Sequence, residues 1–345
     1  MSRRPTVEEV SDAAQWNALV AAAPQADLLQ SWEWGEFKRQ TGAWSARRFV
    51  VRECGAAIAG AQVLSRGFVG LRFLYAPRGP WWHDARGLHA MARWLRRHES
   101  WHAPLVRCDP PVAKVDELAS GGFRPAPRQV QPRATIVVDL ARSDAEILAG
   151  FTTQVRYNAR LAERKGVEIA DDGAPLVEGF WKLLVATAER KGFIERPLAY
   201  YRALVQIFGE DARVFLARYE GETVAGAIVV VYGHTAYYLY GASGGDRSVK
   251  PAELLQYRAM LWAKRRGARR YDLWGIPAHP TEDNPLYGVY RFKSGFGGQE
   301  VLYTGAQDLI LMPVPARLPG AVEVVALKTR SLMRGQGFAL VDHLA

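Results

Sequence analysis

Residues 46–61 read ARRFVVRECGAAIAGA, and residues 212–227 read ARVFLARYEGETVAGA. Each block predicts two strands joined by a tight turn that ends in glycine, at Gly55 and at Gly221. In each, the second strand opens with Ala-Gly, at Ala59-Gly60 and Ala225-Gly226. The match continues outward at nearly constant spacing. LRFLYAPRG (71–79) faces AYYLYGASG (236–244), and MARWLRR (91–97) faces MLWAKRR (260–266). Each of these last segments leads to an R-x-D, at Arg107–Asp109 and Arg270–Asp272. Four blocks in one order make the chain a tandem duplication.

Each copy reads strand, turn, strand, strand, helix, strand, so mixed strands crossed by amphipathic helices are expected. The fold class is α/β, with α+β-type mixed sheets, and the element order resembles the Gcn5-related N-acyltransferase fold. TIVVDL (135–140) reads as a strand, and Ser143 with Glu146 as a capping signal that starts a helix. The expected domains are 1–142 together with about 304–345, and 143–303. The segment after about 300 has no counterpart after the first copy and is expected to fold back on the N-terminal half.

The 345 residues are 49% hydrophobic and 23% charged, enough for two globular cores. Forty-five Lys and Arg stand against 35 Asp and Glu, a net charge of +10. That excess fits a polyanionic partner, or a generally Arg-rich composition. Two cysteines, Cys54 and Cys108, build no disulfide framework and fit a reducing compartment. The start, MSRRPTVEEV, lacks the apolar run of a signal peptide. Val224–Ser243 is uncharged for a membrane-span length, yet Gly233-His234 splits it into two β-rich runs, so it reads as a hairpin. A cytoplasmic protein is expected, with a peripheral place at the inner membrane face as the variant of that reading.

His98-Glu99-Ser100-Trp101-His102 fits the H-E-x-x-H zinc string. Pro104 ends the helix there and Arg93, Arg96 and Arg97 crowd it, so no metal is expected. The glycine run after the third strand of the second copy continues as Gly245 to Pro251 without the phosphate-cradling pattern of acyl-CoA enzymes. No cofactor is expected.

Several strings together resemble the Fem-type family, the aminoacyl-tRNA-dependent peptidyltransferases that build peptidoglycan bridges. They are Ser31-Trp32-Glu33-Trp34-Gly35-Glu36-Phe37-Lys38, Arg107-Cys108-Asp109-Pro110, and Arg190-Lys191-Gly192-Phe193 with Arg196 to Tyr201. Tyr240-Gly241-Ala242-Ser243 and the box Phe292-Lys293-Ser294-Gly295-Phe296-Gly297-Gly298 complete the set. The resemblance runs from about residue 30 to 312. It implies two tandem acyltransferase-like domains. Between 145 and 210 only 145–165 and 176–191 read as helices, without sustained heptads, so the long coiled-coil arm of some members is not expected.

The resemblance implies transfer of an amino acid from aminoacyl-tRNA to the side-chain amine of the stem peptide in a UDP-muramyl-pentapeptide or a lipid-linked precursor, by a monomer. The ester is already activated, so alignment and oxyanion stabilisation suffice. Lys293 suits the charge-stabilising role. Phe292 is placed to stack on a base, and the glycines of the box to admit a large ligand. Lys38, Arg196, Tyr200 and Tyr240 are expected to hold the acceptor diphosphate. Asp109 is expected to take the ammonium or its proton. Arg156 to Lys165 forms a basic helix able to meet RNA phosphates. Two alternatives stay open: an acyl-CoA-dependent N-acyltransferase, and a noncatalytic RNA-binding protein.

Overall fold

The computed structural model describes residues 4–312 except 69–70, 193 and 246. The chain beyond 312, part of the expected N-terminal domain, lies outside the described residues, as does Phe193 of the family strings. The chain forms two units: one runs to Arg133 and resumes at Leu302, and the other spans Ala134–Val301.

The first unit contains β1 (Thr6–Glu9), α1 (Ala13–Ala22), α2 (Trp32–Thr41), β2 (Ser45–Glu53), β3 (Ala56–Phe68) and β4 (Leu71–Ala76). It continues with β5 (Trp81–Trp82), α3 (Ala85–His98), β6 (Leu105–Cys108), α4 (Asp116–Ser120) and β7 (Phe123–Pro125). The second contains β8 (Ala134–Asp139), α5 (Asp144–Gly150), α6 (Thr153–Arg164), β9 (Glu168–Asp172), α7 (Val177–Lys191) and α8 (Leu198–Phe208). Then follow β10 (Ala212–Tyr219), β11 (Glu222–Tyr232), β12 (Thr235–Ser243), α9 (Pro251–Arg265), β13 (Arg270–Asp272), α10 (Tyr287–Ser294) and β14 (Gln299–Leu302). The strand β15 (Gln307–Ile310) returns to the first unit.

The duplication is visible turn by turn. The β2–β3 and β10–β11 hairpins close through two residues that both have positive φ, Cys54 (51°) with Gly55 (86°) and Glu220 (51°) with Gly221 (86°). That is the turn whose twist matches antiparallel strands. The uncharged stretch folds as β11 and β12, paired antiparallel around Gly233-His234. Among the described residues no helix is long and apolar enough to cross a membrane.

The first sheet runs β1-β2-β3-β4-β6-β15-β7, with β5 on β3, and the second β14-β8-β13-β12-β11-β10-β9. The orders match copy for copy except that the last strands have changed places. β8 follows β7 in the chain yet sits between β13 and β14, while β15 follows β14 yet sits between β6 and β7. This moves the first border from 142 to 133, because β8 hydrogen-bonds in the second sheet. Of the segment after 300, the described strand β15 pairs with β6 and β7 of the first unit.

Each sheet buries one face under its crossover helix. Phe49, Val51, Leu74, Leu88, Leu95, Val106 and Leu309 share the first core. Phe151, Phe215, Met260, Tyr271, Leu273 and Phe296 belong to the second. Ser143 and Glu146 form the expected capping box at the start of α5. The expected helix 145–165 is two helices, broken at Phe151 where Thr152 caps α6. The helix α8, which carries Tyr200, was not separated by periodicity.

The exchanged strand is anchored by a buried ion pair, Arg107 Nε to Asp308 Oδ1 at 2.8 Å, with a second bond Nη2 to Oδ2 at 2.8 Å. Removing one partner of a buried pair strands the other charge, at a cost of about 3–5 kcal/mol. Asp308→Ala is therefore expected to lower the denaturation midpoint. Its hydrogen-exchange protection loss should appear at residues 105–108 and 123–125, far back in the sequence. Loss confined to residues 299–302 would contradict the exchange.

Candidate active site

The second sheet opens where its two parallel strands part. β12 and β13 pair over three positions, ending at Tyr237 opposite Asp272. β12 then continues to Ser243, whereas the chain after Asp272 turns to β8 instead. There Leu273 N donates to the Ile136 carbonyl (2.9 Å) and Ile276 N to the Ala134 carbonyl (3.0 Å). Among the described residues β12 has no strand partner on that side beyond Tyr237, and polar side chains gather there.

One group stands on the α9–α10 face. Lys293, in the last turn of α10, is 8% exposed. Its Nζ donates to the Gly275 carbonyl at 2.7 Å and the Trp274 carbonyl at 3.3 Å, and lies 5.8 Å from the centre of the Tyr238 ring. Trp274 has φ 61°, a left-handed conformation unusual for a large side chain, and this turns both carbonyls to the lysine. Burial lowers the ammonium to about 7, with the Asp272 carboxylate opposing the fall. Asp272 accepts from Trp274 N at 2.7 Å and from the Thr135 hydroxyl. Burial pushes the Tyr238 phenol up to about 12.

A second group stands on the opposite face. The β11–β12 register shifts between Ile228, opposite Tyr240, and Val229, opposite Tyr238. The extra residue, Leu239, forms a bulge, so the two tyrosines point to opposite faces of the sheet. Tyr240 meets α8: its hydroxyl is 3.2 Å from that of Tyr200, and its ring is edge-on to Tyr201. The Arg196 guanidinium lies 5.2 Å from the centre of the Tyr200 ring. Tyr201 donates to Glu195, and the Tyr240 phenol is pushed well up by burial. Three of the sequence-expected binding residues, Arg196, Tyr200 and Tyr240, are thus neighbours.

The other expected residues lie elsewhere. Lys38 is in the first unit, its ammonium 4.6 Å from the centre of the Trp34 ring and 4.9 Å from that of Phe37. Asp109, also in the first unit, is 1% exposed and accepts from the Tyr75 hydroxyl (2.7 Å) and Arg78 N (2.6 Å). Burial raises its carboxyl. Of the two repeated aspartates, Asp272 is the one beside the lysine. Phe292 is half-buried and meets Phe296 edge-on with centroids 5.0 Å apart. In the zinc-like string, α3 ends at His98, whose ring stacks on Trp94, and Glu99 pairs with Arg47 at 2.7 Å.

Two of the box glycines pack closely against the protein's own backbone. A Cβ on Gly297 would strike the Gly150 carbonyl, and one on Gly298 would lie 2.6 Å from the Val137 carbonyl oxygen. The start of α9 is likewise filled. Pro251 offers no N–H, and Glu253 in the first turn accepts from Asn158 at 2.8 Å. A helix start bearing a carboxylate disfavours a pyrophosphate. Sequence reasoning missed Thr135 and Tyr238 as site residues. Nothing in TIVVDL marks a threonine as polar lining, and Tyr238 precedes a bulge that periodicity does not reveal.

The model of the Acetyltransferase (GNAT) domain family matches residues 149–294. Lipid II:glycine glycyltransferase of Staphylococcus haemolyticus (strain JCSC1435) is 26% identical, the alignment covering 86% of this chain and 90% of that protein. The protein of the same name from Staphylococcus aureus is 25% identical over the same shares. The first alignment runs over 380 positions against a chain of 345, so that relative carries segments with no counterpart here. Among solved structures, a crystal structure of FemX superposes with a TM-score of 0.81 at 23% identity, over 92% of this chain and all of that one. A tandem GNAT protein from the clavulanic acid biosynthesis pathway gives 0.54 at 13% identity, over 90% of this chain and all of that one. The fold is a tandem GNAT fold, and the resemblance to the Fem-type family is borne out over most of the chain.

The buried lysine makes stability depend on pH in a definite direction. Unfolded, it holds its proton up to its ordinary value of 10.5; folded, only to about 7. Between these values the unfolded state binds more protons, so wild-type stability rises with pH through that window. Lys293→Met lacks this rise. Urea unfolding at pH about 6 and about 10 is expected to show the variant gaining on wild type at the lower pH. An equal difference at both pH values would contradict the burial-lowered ammonium.

Proposed function

We propose that the chain is an aminoacyltransferase that moves a small amino acid from aminoacyl-tRNA to an amine on the stem peptide of a muramyl-pentapeptide precursor. The observation that carries this reading is Lys293, a nearly buried ammonium held by two carbonyls where β12 and β13 part. The names of the relatives favour glycine as the donated residue and a lipid-linked acceptor.

The acceptor amine attacks the ester carbonyl carbon, and a C–N bond forms as the carbonyl oxygen gains negative charge. Lys293, when charged, stabilises that oxygen from a nearly buried position where water screens it little. The C–O ester bond then breaks, and the leaving ribose oxygen takes the proton released by the amine. Arg196, Tyr200 and Tyr240 supply one cation and two phenols for the acceptor's diphosphate, and Lys38 is a candidate phosphate-binding cation of the first unit. Phe292 braces α10 against Phe296 and offers its remaining surface to a terminal base. Asp109, read from the sequence as a group that takes the ammonium or its proton, is buried in the first unit with Tyr75 and Arg78 N bound to it, which favours a structural role over that one. On α6, Tyr157 is 53% exposed beside Arg160, Arg164 and Lys165, a surface suited to RNA backbone and stacking.

The match to an acetyltransferase family favours a second reading, acyl transfer from acetyl-CoA. The carboxylate of Glu253 at the start of α9 weighs against it. Incubation with mixed charged tRNAs, acetyl-CoA, and nucleotide-linked and lipid-linked muramyl-pentapeptide separates the two by product mass. A mass increase of one small amino acid supports the first reading, and an acetyl increase overturns it. Lys293→Met is expected to lower the rate about 10²–10³-fold with little change in acceptor KM. Because Lys293 must be charged, activity should fall as pH rises through about 7, and Lys293→Arg should lose that fall.

A short aminoacylated acceptor-stem helix is expected to support transfer nearly as well as whole tRNA. Activity should drop steeply between about 50 and 200 mM salt, as several phosphate contacts require. An inert minimal helix beside active tRNA would mean that the tRNA body is contacted.

A further inference from the structure

We propose that Asp272 and Thr135 are positioning residues for Lys293, fixing where its ammonium stands by holding the turn that carries its two carbonyl partners. The proposal rests on the reading of Lys293 as the charge-stabilising group. The path is continuous. The Thr135 hydroxyl donates to Asp272 Oδ1, and the same oxygen accepts from Trp274 N at 2.7 Å. Holding that N–H maintains the left-handed backbone at Trp274, whose carbonyl and that of Gly275 accept from Lys293 Nζ. On either side of Thr135, the backbone of β8 takes Leu273 N and Ile276 N, so residues 273–276 are gripped at both ends.

Thr135 is 2% exposed and Asp272 8% exposed. A carboxylate buried to that degree costs free energy unless its bonds or a nearby cation offset it. Asp272 has both, since the buried ammonium is near enough to feel its charge. Among the described residues, the titratable groups beside Lys293 are Asp272 on β13 and the phenol of Tyr238 on β12. Around them, Gln256 on α9 is bound to Tyr271 (2.8 Å) and Thr135 on β8 to Asp272. Asp272 is therefore the anion that opposes the loss of the lysine's proton. Because β8 is the last strand of the first copy, that copy contributes a residue to the second copy's site. In the first copy the equivalent aspartate, Asp109, holds Arg78 N and Tyr75, and α4, in the place of α10, has no lysine.

The test uses the full chain with Thr135→Val, Thr135→Ser and Asp272→Asn. Two quantities are read: transfer kinetics against pH, and the side-chain NMR titration of Lys293, identified by its loss in Lys293→Arg. Thr135→Val and Asp272→Asn are expected to lower kcat roughly 10–100-fold with acceptor KM nearly unchanged, as for groups that support a reactive side chain. Thr135→Ser should restore most of the rate. Asp272→Asn should move the Lys293 titration, and the alkaline fall in activity, to lower pH. Wild-type kcat and an unshifted titration in both Thr135→Val and Asp272→Asn would overturn the proposal. If wild type transfers nothing, the functional reading falls and the titration decides the positioning alone: a shift in Asp272→Asn supports it, and no shift overturns it.

Discussion

A sheet leaves no room for an unpaired central strand, and this constraint organises the molecule. β13 is only three residues long and lies between β12 and β8, and β6 lies in the same way between β4 and β15. In each sheet the strand that completes the pairing arrives from the other copy. The buried backbone groups of β6 and β13 would otherwise lose their partners on one side, a loss that proteins rarely tolerate. The exchange therefore makes the duplicated halves depend on each other through hydrogen bonding, as well as through the linking chain.

The same strand that completes the second sheet shapes its site. β8 brings Thr135 to Asp272 and clamps the segment 273–276. That segment cannot follow β12 while it is bound to β8, so the parallel strands part and unpaired polar atoms are left at the opening. Lys293 satisfies two of those carbonyls. A lysine in such a place is costly to keep charged, because desolvation opposes the ion more strongly than Asp272 supports it. Perturbed groups of this kind, set by burial and one charge partner in an opening of the fold, mark sites of chemistry more often than sites of structure.

Duplication followed by divergence explains why, among the described residues, a lysine stands beside Asp272 and not beside its counterpart Asp109. Both copies retain the strand-end aspartate. In the first, Arg78 N and the Tyr75 hydroxyl occupy it, and Gln30 reaches the Pro77 carbonyl at 2.7 Å, so polar protein groups fill the equivalent region. In the second, the aspartate is bound by a short turn and faces a cation. The chemical difference between the copies comes down to which residues follow the aspartate and whether a lysine-bearing helix returns to it.

Much of this was legible in the residues themselves. The turns at Gly55 and Gly221, the hairpin split at Gly233, the capping box at Ser143 and the repeat all rest on interactions within a few residues, where local stereochemistry decides the outcome. Lys293, Arg196, Tyr200 and Tyr240 stood out because short strings carried them. What the sequence could not settle depended on partners distant along the chain. TIVVDL reads as a strand wherever it pairs, and only tertiary hydrogen bonding placed it in the second sheet. The bulge at Leu239 sends Tyr238 and Tyr240 to opposite faces, a consequence of the register with β11 rather than of their own spacing. The box glycines do not announce their neighbours, and only the tertiary structure set Gly297 against the Gly150 carbonyl and Gly298 against that of Val137. Local stereochemistry determined the elements; long-range pairing decided which aspartate meets the lysine, because that choice belongs to strands more than a hundred residues apart.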